Sequence, residues 1–310
     1  MGESNNTQLR ECLFIIDAYT STMTVRRYLQ DLLFGFYHRA PFSFEEAIYD
    51  RDWDVLILLD ACRVDSLQAV APEYPWLPES VPSIWSVGGM SSEWMENTFT
   101  DAYAEEIANT AYVTANPYSH EFINKQQFAL VDEVWRDEWD HDSGTVLAET
   151  MTERAIATAR THDPRRLIVH YMQPHFPSIP DPLESPIPLD DFGDEELNIW
   201  DDVRFGRVDI DRVRQSYLEN LRYVLAAVDD LRQNIDAERA VISADHGECF
   251  GEWGFYGHMR NKPIPAVRRV PWVEIETTDS GDINPTTGAV GSRTSEDDVE
   301  QRLRSLGYKQ

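Results

Sequence analysis

The sequence predicts an α/β fold, a three-layer α/β/α sandwich around a mainly parallel sheet, and two features carry that expectation. Short apolar runs recur at Asp54-Val-Leu-Ile-Leu-Leu-Asp60, Leu167 to Tyr171 and Ala240 to Ala244. Such runs, without polar alternation, fit strands covered on both faces. Between the second and third, Val213 to Leu231 sets Tyr217, Leu221, Val224, Leu225, Val228 and Leu231 on one helical face. Strand and helix therefore alternate as in crossover units. The size agrees: 310 residues, 42% of them hydrophobic, suffice for one large domain.

Residues 1–50 read as a lead-in. Thr20 to Phe36 has helical spacing of Met23, Val25, Tyr28, Leu29, Leu32, Leu33 and Phe36 before Pro41 breaks it. A packing helix is expected there, because its few charges make a poor polar face for an interfacial membrane helix. The catalytic domain is expected over 51–276. Within it Tyr112 to Thr114 and Val270 to Ile275 are weaker strand candidates, and Glu149 to Arg160 reads as a further helix. Six or more sheet strands are expected. Pro174 to Asp211, rich in proline and acid, is too long for an ordinary connection and predicts a lid or a substrate-side excursion. Residues 277–310 read as a flexible acidic tail, Gly/Ser/Thr/Asp-rich to Thr294, with a short helix from Ser295 to Leu306.

Acidic residues number 55 against 27 basic ones, a formal net charge of -28, and the only lysines are Lys125, Lys262 and Lys309. So dense an acidic surface needs cations to screen it, which predicts a salt-adapted cytoplasm. Duplex nucleic acid is excluded as a partner, since no basic stripe could neutralise phosphates. Cys12, Cys62 and Cys249 form no CxxC pair, so neither a disulfide framework nor a thiolate zinc site is signalled. The N-terminus lacks a basic region leading into an apolar run, and no stretch approaches the roughly 18 apolar residues of a spanning helix. A cytoplasmic location is the expectation.

Reactive groups of an open parallel sheet gather at the carboxyl ends of its strands, where Asp60 and Asp245 both fall. An acid there can simply cap the next helix, and Asp60 alone fits that role as well as metal ligation. Asp245 has company: the segment Ile242 to His258 also holds His246, Gly247, Gly251, Gly254, Gly257 and His258. Carboxylate and imidazole together suit zinc, manganese or magnesium.

The stretch Ser243-Ala-Asp-His-Gly-Glu-Cys-Phe-Gly-Glu-Trp-Gly-Phe-Tyr-Gly-His258 resembles the metal-binding block of the alkaline phosphatase/sulfatase superfamily, where an apolar strand runs into Asp-His-Gly and a Gly-His follows. Val55 to Asp60 resembles that superfamily's first strand, Tyr217 to Leu231 its helix before the metal block, and Val267-Arg-Arg-Val-Pro-Trp272 the approach to its final strand. The resemblance implies an alkaline-phosphatase-like sandwich and, with the acidic surface, a sulfatase-like protein of a halophilic archaeon. It implies that Asp60, Asp245 and His246 ligate one divalent ion. It also implies a nucleophile shortly after the first strand, at the start of a helix. Ser91 in Ser86-Val-Gly-Gly-Met-Ser-Ser-Glu-Trp94 is the first candidate, with Ser92 next and Ser86 third; Ser91 or Ser92 could equally serve as a helix N-cap.

The sulfatase Cys-x-Pro-x-Arg motif, source of formylglycine, is absent; Cys62 lies in Ala-Cys-Arg-Val-Asp and Cys249 inside the metal block. A serine beside a metal favours phosphoryl chemistry, with sulfate esters left open. His175, in Val-His-Tyr-Met-Gln-Pro-His-Phe-Pro, is preferred over His170 as a substrate-side histidine: second-metal ligand, oxyanion stabiliser or leaving-group acid. His258, which Gly257 lets approach closely, is expected on a second metal or the transferred group. Arg63 reads as a local salt-bridge partner, Glu248 and Glu252 as solvated surface acids, and His38, His120, His141 and His162 as without a role. The expected cofactor is a divalent cation, Zn, Mn, Mg or Ca, as one or two ions. The expected substrate is a small-molecule or glycan- or lipid-linked anionic ester. The competing reading is an inactive metal-binding scaffold; a cofactor-independent phosphomutase would need a cap domain for which the chain is short.

Overall fold

The run Val55–Leu59 carries five buried aliphatic side chains and forms β1, the middle strand of a seven-stranded sheet. The other strands are β2 (Ser83–Trp85), β3 (Thr110–Thr114), β4 (Leu130–Glu133), β5 (Arg166–Tyr171), β6 (Ala240–Ser243) and, after a small hairpin of β7 (Cys249–Phe250) and β8 (Tyr256–Gly257), β9 (Arg269–Ile275). The sheet order is β2-β9-β6-β1-β5-β3-β4. β1 pairs in parallel with β5 and β6, and β3 with β5 and β4; β9 alone runs antiparallel to its neighbours β6 and β2. The computed structural model describes residues 34–35, 44–183, 199–285 and 296–306. The chain divides into two units, Met1–Phe44 and Glu45–Gln310, the second of which holds the sheet. Almost all of the expected helix from Thr20 to Phe36, and Cys12, lie outside the described residues, as does 286–295 of the tail.

The helices are α1 (Val64–Val70), α2 (Ser91–Thr98), α3 (Ala148–His162), α4 (Ile199–Arg204), α5 (Ile210–Arg232) and α6 (Glu296–Ser305), with several single turns between. Successive strand side chains point to opposite faces. Tyr171 accordingly reaches one helical layer, its hydroxyl 2.7 Å from Thr152 Oγ1 on α3, where α3 and α1 pack against α5. Its neighbour His170 turns the other way, edge-on to Trp94 of α2 at 5.8 Å between ring centroids. Helices thus cover both faces, the expected three-layer sandwich.

Two strands of the seven-stranded sheet, and the short hairpin of β7 and β8, escaped the sequence reading. β2 is only three residues long and β4, Leu-Val-Asp-Glu, sits at the sheet edge, so neither shows an uninterrupted apolar run. The proline-rich excursion is also not bare loop: it contains α4, whose Ile199, Trp200 and Val203 join Val213, Tyr217 and Phe250 in a small second apolar cluster. Among the described residues, no helix is long and apolar enough to cross a membrane.

Ile57 is fully buried at the centre of β1. Ile57→Ala is expected to lower the free energy of unfolding by about 2–5 kcal/mol, read by denaturant titration at constant salt. A change under about 1 kcal/mol would contradict the central placement of this strand.

Candidate metal centre

Parallel pairing of β1 with β6 matches Leu58 to Ser243. Carried two residues further, the same register sets Asp60 opposite Asp245, both with no exposure. The two acids that end separate apolar runs therefore meet because two strands align.

Around them the donors are closely spaced. Asp60 Oδ2 lies 3.2 Å from Ser91 Oγ and accepts from Asn116 Nδ2 at 2.8 Å. Asp245 Oδ1 accepts the backbone amides of Ala61 and His246, at 3.2 and 2.9 Å, which turns Oδ2 toward the imidazoles. His246 Nε2 lies 3.5 Å from Asp60 Oδ1, 3.5 Å from Asp245 Oδ2 and 3.4 Å from Ser91 Oγ. Its Nδ1–H donates to the Gly247 carbonyl at 2.8 Å, which leaves a lone pair on Nε2 facing the carboxylates. Two anionic oxygens and an imidazole nitrogen, all buried and mutually within 4.8 Å, are a donor set that fits a divalent cation.

A second cluster adjoins the first. His175, Glu248 and His258 bring their ligand atoms within 4.8 Å of one another. The rings of His246 and His258 are 4.5 Å apart between centroids, and those of His175 and His258 5.1 Å. His175 Nδ1–H donates to the Phe176 carbonyl at 2.5 Å, and His258 Nδ1 lies 3.2 Å from Glu248 Oε1. Glu248 corrects the sequence reading: it is 2% exposed and belongs to this cluster rather than to the solvated surface.

Charge follows geometry. Burial and the neighbouring Asp245 push the Asp60 carboxyl up, but the imidazoles of His170, His175 and His246 outweigh them and hold it below its ordinary value. Asp245 too is held well down, against burial, by His246 and His170. Burial lowers His175 and favours its neutral, ligating form; in His258 the Glu248 carboxylate overcomes the same burial and the net direction is up.

The three candidate serines separate. The Ser91 hydroxyl is in contact with Asp60 and His246 of the first cluster. Ser86 donates to the backbone carbonyl of Asp245 and accepts the Gly88 amide, which makes it a brace. Ser92 is buried in the same turn. Neither Ser91 nor Ser92 is the N-cap; Met90 holds that position, and Ser91 is the first residue of α2. Two glycines permit the close approaches. A Cβ on Gly89 would stand 2.4 Å from the Met259 carbonyl, and one on Gly247 2.2 Å from that of Ala266. The segments after β2 and β8 can therefore press together, and so can the block and the turn before β9.

His170, the second choice to His175 in the sequence, and two residues the sequence left unassigned complete the surroundings. His170 is fully buried, with Nε2 3.6 Å from both Asp60 Oδ2 and Asp245 Oδ2 and Nδ1 paired with the Tyr112 hydroxyl at 2.8 Å. Asn116 anchors Asp60, and Asn220 of α5 reaches the Pro174 and His175 carbonyls at 3.2 and 3.0 Å. The strand alternation after Leu167 could have flagged His170, since it falls opposite Leu58, two residues before Asp60. Arg63 behaves as expected. It pairs with Asp65 and with Glu252, which is therefore not a free surface acid, and donates to the Glu248 carbonyl at 2.6 Å.

No curated protein matched. Among solved structures, lipooligosaccharide phosphoethanolamine transferase A of Neisseria meningitidis, an integral membrane protein, is 14% identical over 79% of this chain and 51% of its own, with a TM-score of 0.48. The C-terminal periplasmic domain of phosphoethanolamine transferase EptC of Campylobacter jejuni is 14% identical over 71% of this chain and 77% of its own, TM-score 0.45. That of EptC of Escherichia coli, in complex with Zn, is 12% identical over 75% of each chain, TM-score 0.45. The present chain spans about half the length of the first of these. The family model described as Sulfatase matches residues 79–273, a range that contains Ser91, His175, Asp245, His246 and His258 but not Asp60. With well over half its length matched, the chain belongs to the sulfatase family.

Proposed function

We propose that the protein is a metal-dependent hydrolase or transferase of phosphate or sulfate esters with Ser91 as its nucleophile. One observation carries this reading: the Ser91 hydroxyl lies 3.2 Å from Asp60 Oδ2 and 3.4 Å from His246 Nε2, inside the carboxylate-imidazole cluster. Asp60, Asp245 and His246 would hold one divalent cation, and His175, Glu248 and His258 fit a second. Bound there, Zn, Mn, Mg or Ca would lower the pKa of a hydroxyl and screen the charge of an anionic ester.

The side chains of the chain take the following parts. Ser91 Oγ attacks phosphorus or sulfur, and the alcohol leaves. With a single cation bound, His175 and His258 are free of the second-metal role and bind the non-bridging oxygens or supply the leaving group with its proton. Water or a second alcohol then attacks the serine ester and frees Ser91. Phosphoryl chemistry is the stronger form of the proposal, because the chain offers a serine and no Cys-x-Pro-x-Arg motif. The net charge of -28 supports a salt-adapted cytoplasm, so the assays belong at high salt.

Ser91→Ala is expected to reduce kcat on p-nitrophenyl phosphate or bis-p-nitrophenyl phosphate by a factor on the order of 10³ or more, with Ser86→Ala and Ser92→Ala as comparisons. Full activity in all three variants would eliminate the serine mechanism. Chelation is expected to abolish turnover and lower the thermal midpoint, and added Zn or Mn to restore both. At a free metal concentration of 100 Kd the stabilisation amounts to about 2.7 kcal/mol. Metal uptake without turnover of any phosphate or sulfate ester would favour the inactive scaffold instead.

His170 is proposed as a positioning residue that spaces the two carboxylates. His170→Asn is expected to weaken metal binding by roughly 10–100-fold in a calorimetric titration. Unaltered affinity would remove it from the site.

A further inference from the structure

Glu93 is 6% exposed, yet it belongs to neither donor cluster. It is the third residue of α2, two after Ser91, and residues two apart on a helix do not face the same way. Ser91 turns its hydroxyl to Asp60 and His246, whereas Glu93 turns its carboxylate to two backbone amides. Oε2 accepts the amide of Gly89, two residues before Ser91, at 2.6 Å. Oε1 accepts the amide of Asn261, three residues after His258, at 3.1 Å. Arg268, 3% exposed, brings Nη1 to 3.4 Å from Oε2 and pairs through Nη2 with Glu45.

A glutamate at the third position of a helix commonly reaches back to cap the first turn, and one oxygen suffices for that. Here the other oxygen holds a segment more than 160 residues away in sequence. Two further bonds close the arrangement: the Met259 amide donates to the Gly89 carbonyl at 3.1 Å, and the Ser86 amide to the Arg268 carbonyl at 2.7 Å. The turn that carries Ser91, the connection that carries His258 and the approach to β9 are therefore tied at one buried carboxylate.

We propose that Glu93 is a positioning residue for the reaction: it fixes Ser91 relative to His258, and with them the nucleophile of the first cluster relative to the second cluster. The inference rests on the reading of Ser91 as the nucleophile. Misplacing an attacking atom by about 1 Å costs on the order of 10²-fold in rate, so this clamp acts on kcat while the metal ligands stay in place.

The test is steady-state turnover of the wild type's best phosphate or sulfate ester, together with calorimetric binding of ZnCl2, by the full chain at high salt. Glu93→Ala is expected to lower kcat by about 10²-fold, with KM and the Kd for zinc changed by less than about threefold. Glu93→Gln, of the same size and with one acceptor oxygen left, is expected to lose about 10-fold, and it decides alone if the alanine variant does not fold. In a Ser91→Ala background, Glu93→Ala should cost nothing further, because residues that act as a unit are not additive. Unchanged kcat in the Glu93 variants, an equal loss in both backgrounds, or a loss carried by KM or by zinc binding overturns the positioning role and leaves the ester-cleaving reading standing. A wild type that turns over no phosphate or sulfate ester overturns both.

Discussion

Two buried carboxylates that face each other are the constraint to which this molecule is built. Like charges out of water repel and are poorly solvated, and either one alone would protonate. Asp60 and Asp245 are instead held below the usual carboxylate range, because each is surrounded by compensating groups. Asp245 Oδ1 takes two backbone amides, Asp60 Oδ2 takes the Asn116 amide, and the His170 and His246 imidazoles approach both acids to within 3.6 Å. Amide donors and a His170 imidazole that, against burial, Tyr112 and the two acids push well up make the anions tolerable. The residual negative potential suits the proposed cation, and the His175-Glu248-His258 group adjoins it.

How much of this could be read from the sequence follows from what each residue must do. β1, β5 and β6 were legible because strands covered on both faces carry runs of consecutive apolar residues, and α5 because its apolar stripe keeps helical spacing from Val213 to Leu231. β2 and β4 were not, since a three-residue strand and an edge strand ending in Asp-Glu carry no such pattern. Asp60, Asp245, His246 and Ser91 were legible as chemistry in a motif, and the strand register then brings them together. Glu248 was hidden by its background: among 55 acidic residues, one more acid carries no signal until its burial is known. His170 was hidden by its better-placed neighbour His175, although only the strand face distinguishes a histidine under the carboxylates from one beside them.

The two clusters are held by different means, and one helix joins them. The first is set by sheet register, since its acids prolong paired strands. The second stands on connections, which need anchors from elsewhere. α5 supplies these from positions three residues apart, which share a helical face. The Tyr217 hydroxyl donates to the Ala61 carbonyl and accepts the Arg63 amide, which fixes the turn directly after Asp60. Asn220 donates to the carbonyls of Pro174 and His175 and accepts the Ile179 amide, which fixes the segment that carries His175. Arg63, placed by that same turn, grips the Glu248 carbonyl and Glu252 and stacks over Phe250 at 4.8 Å. A shift of α5 would therefore move His175 directly and Glu248 through Arg63. The long amphipathic helix before the Asp-His-Gly block is thus more than a cover for the sheet: its buried Tyr217 and Asn220 set the spacing between the two clusters.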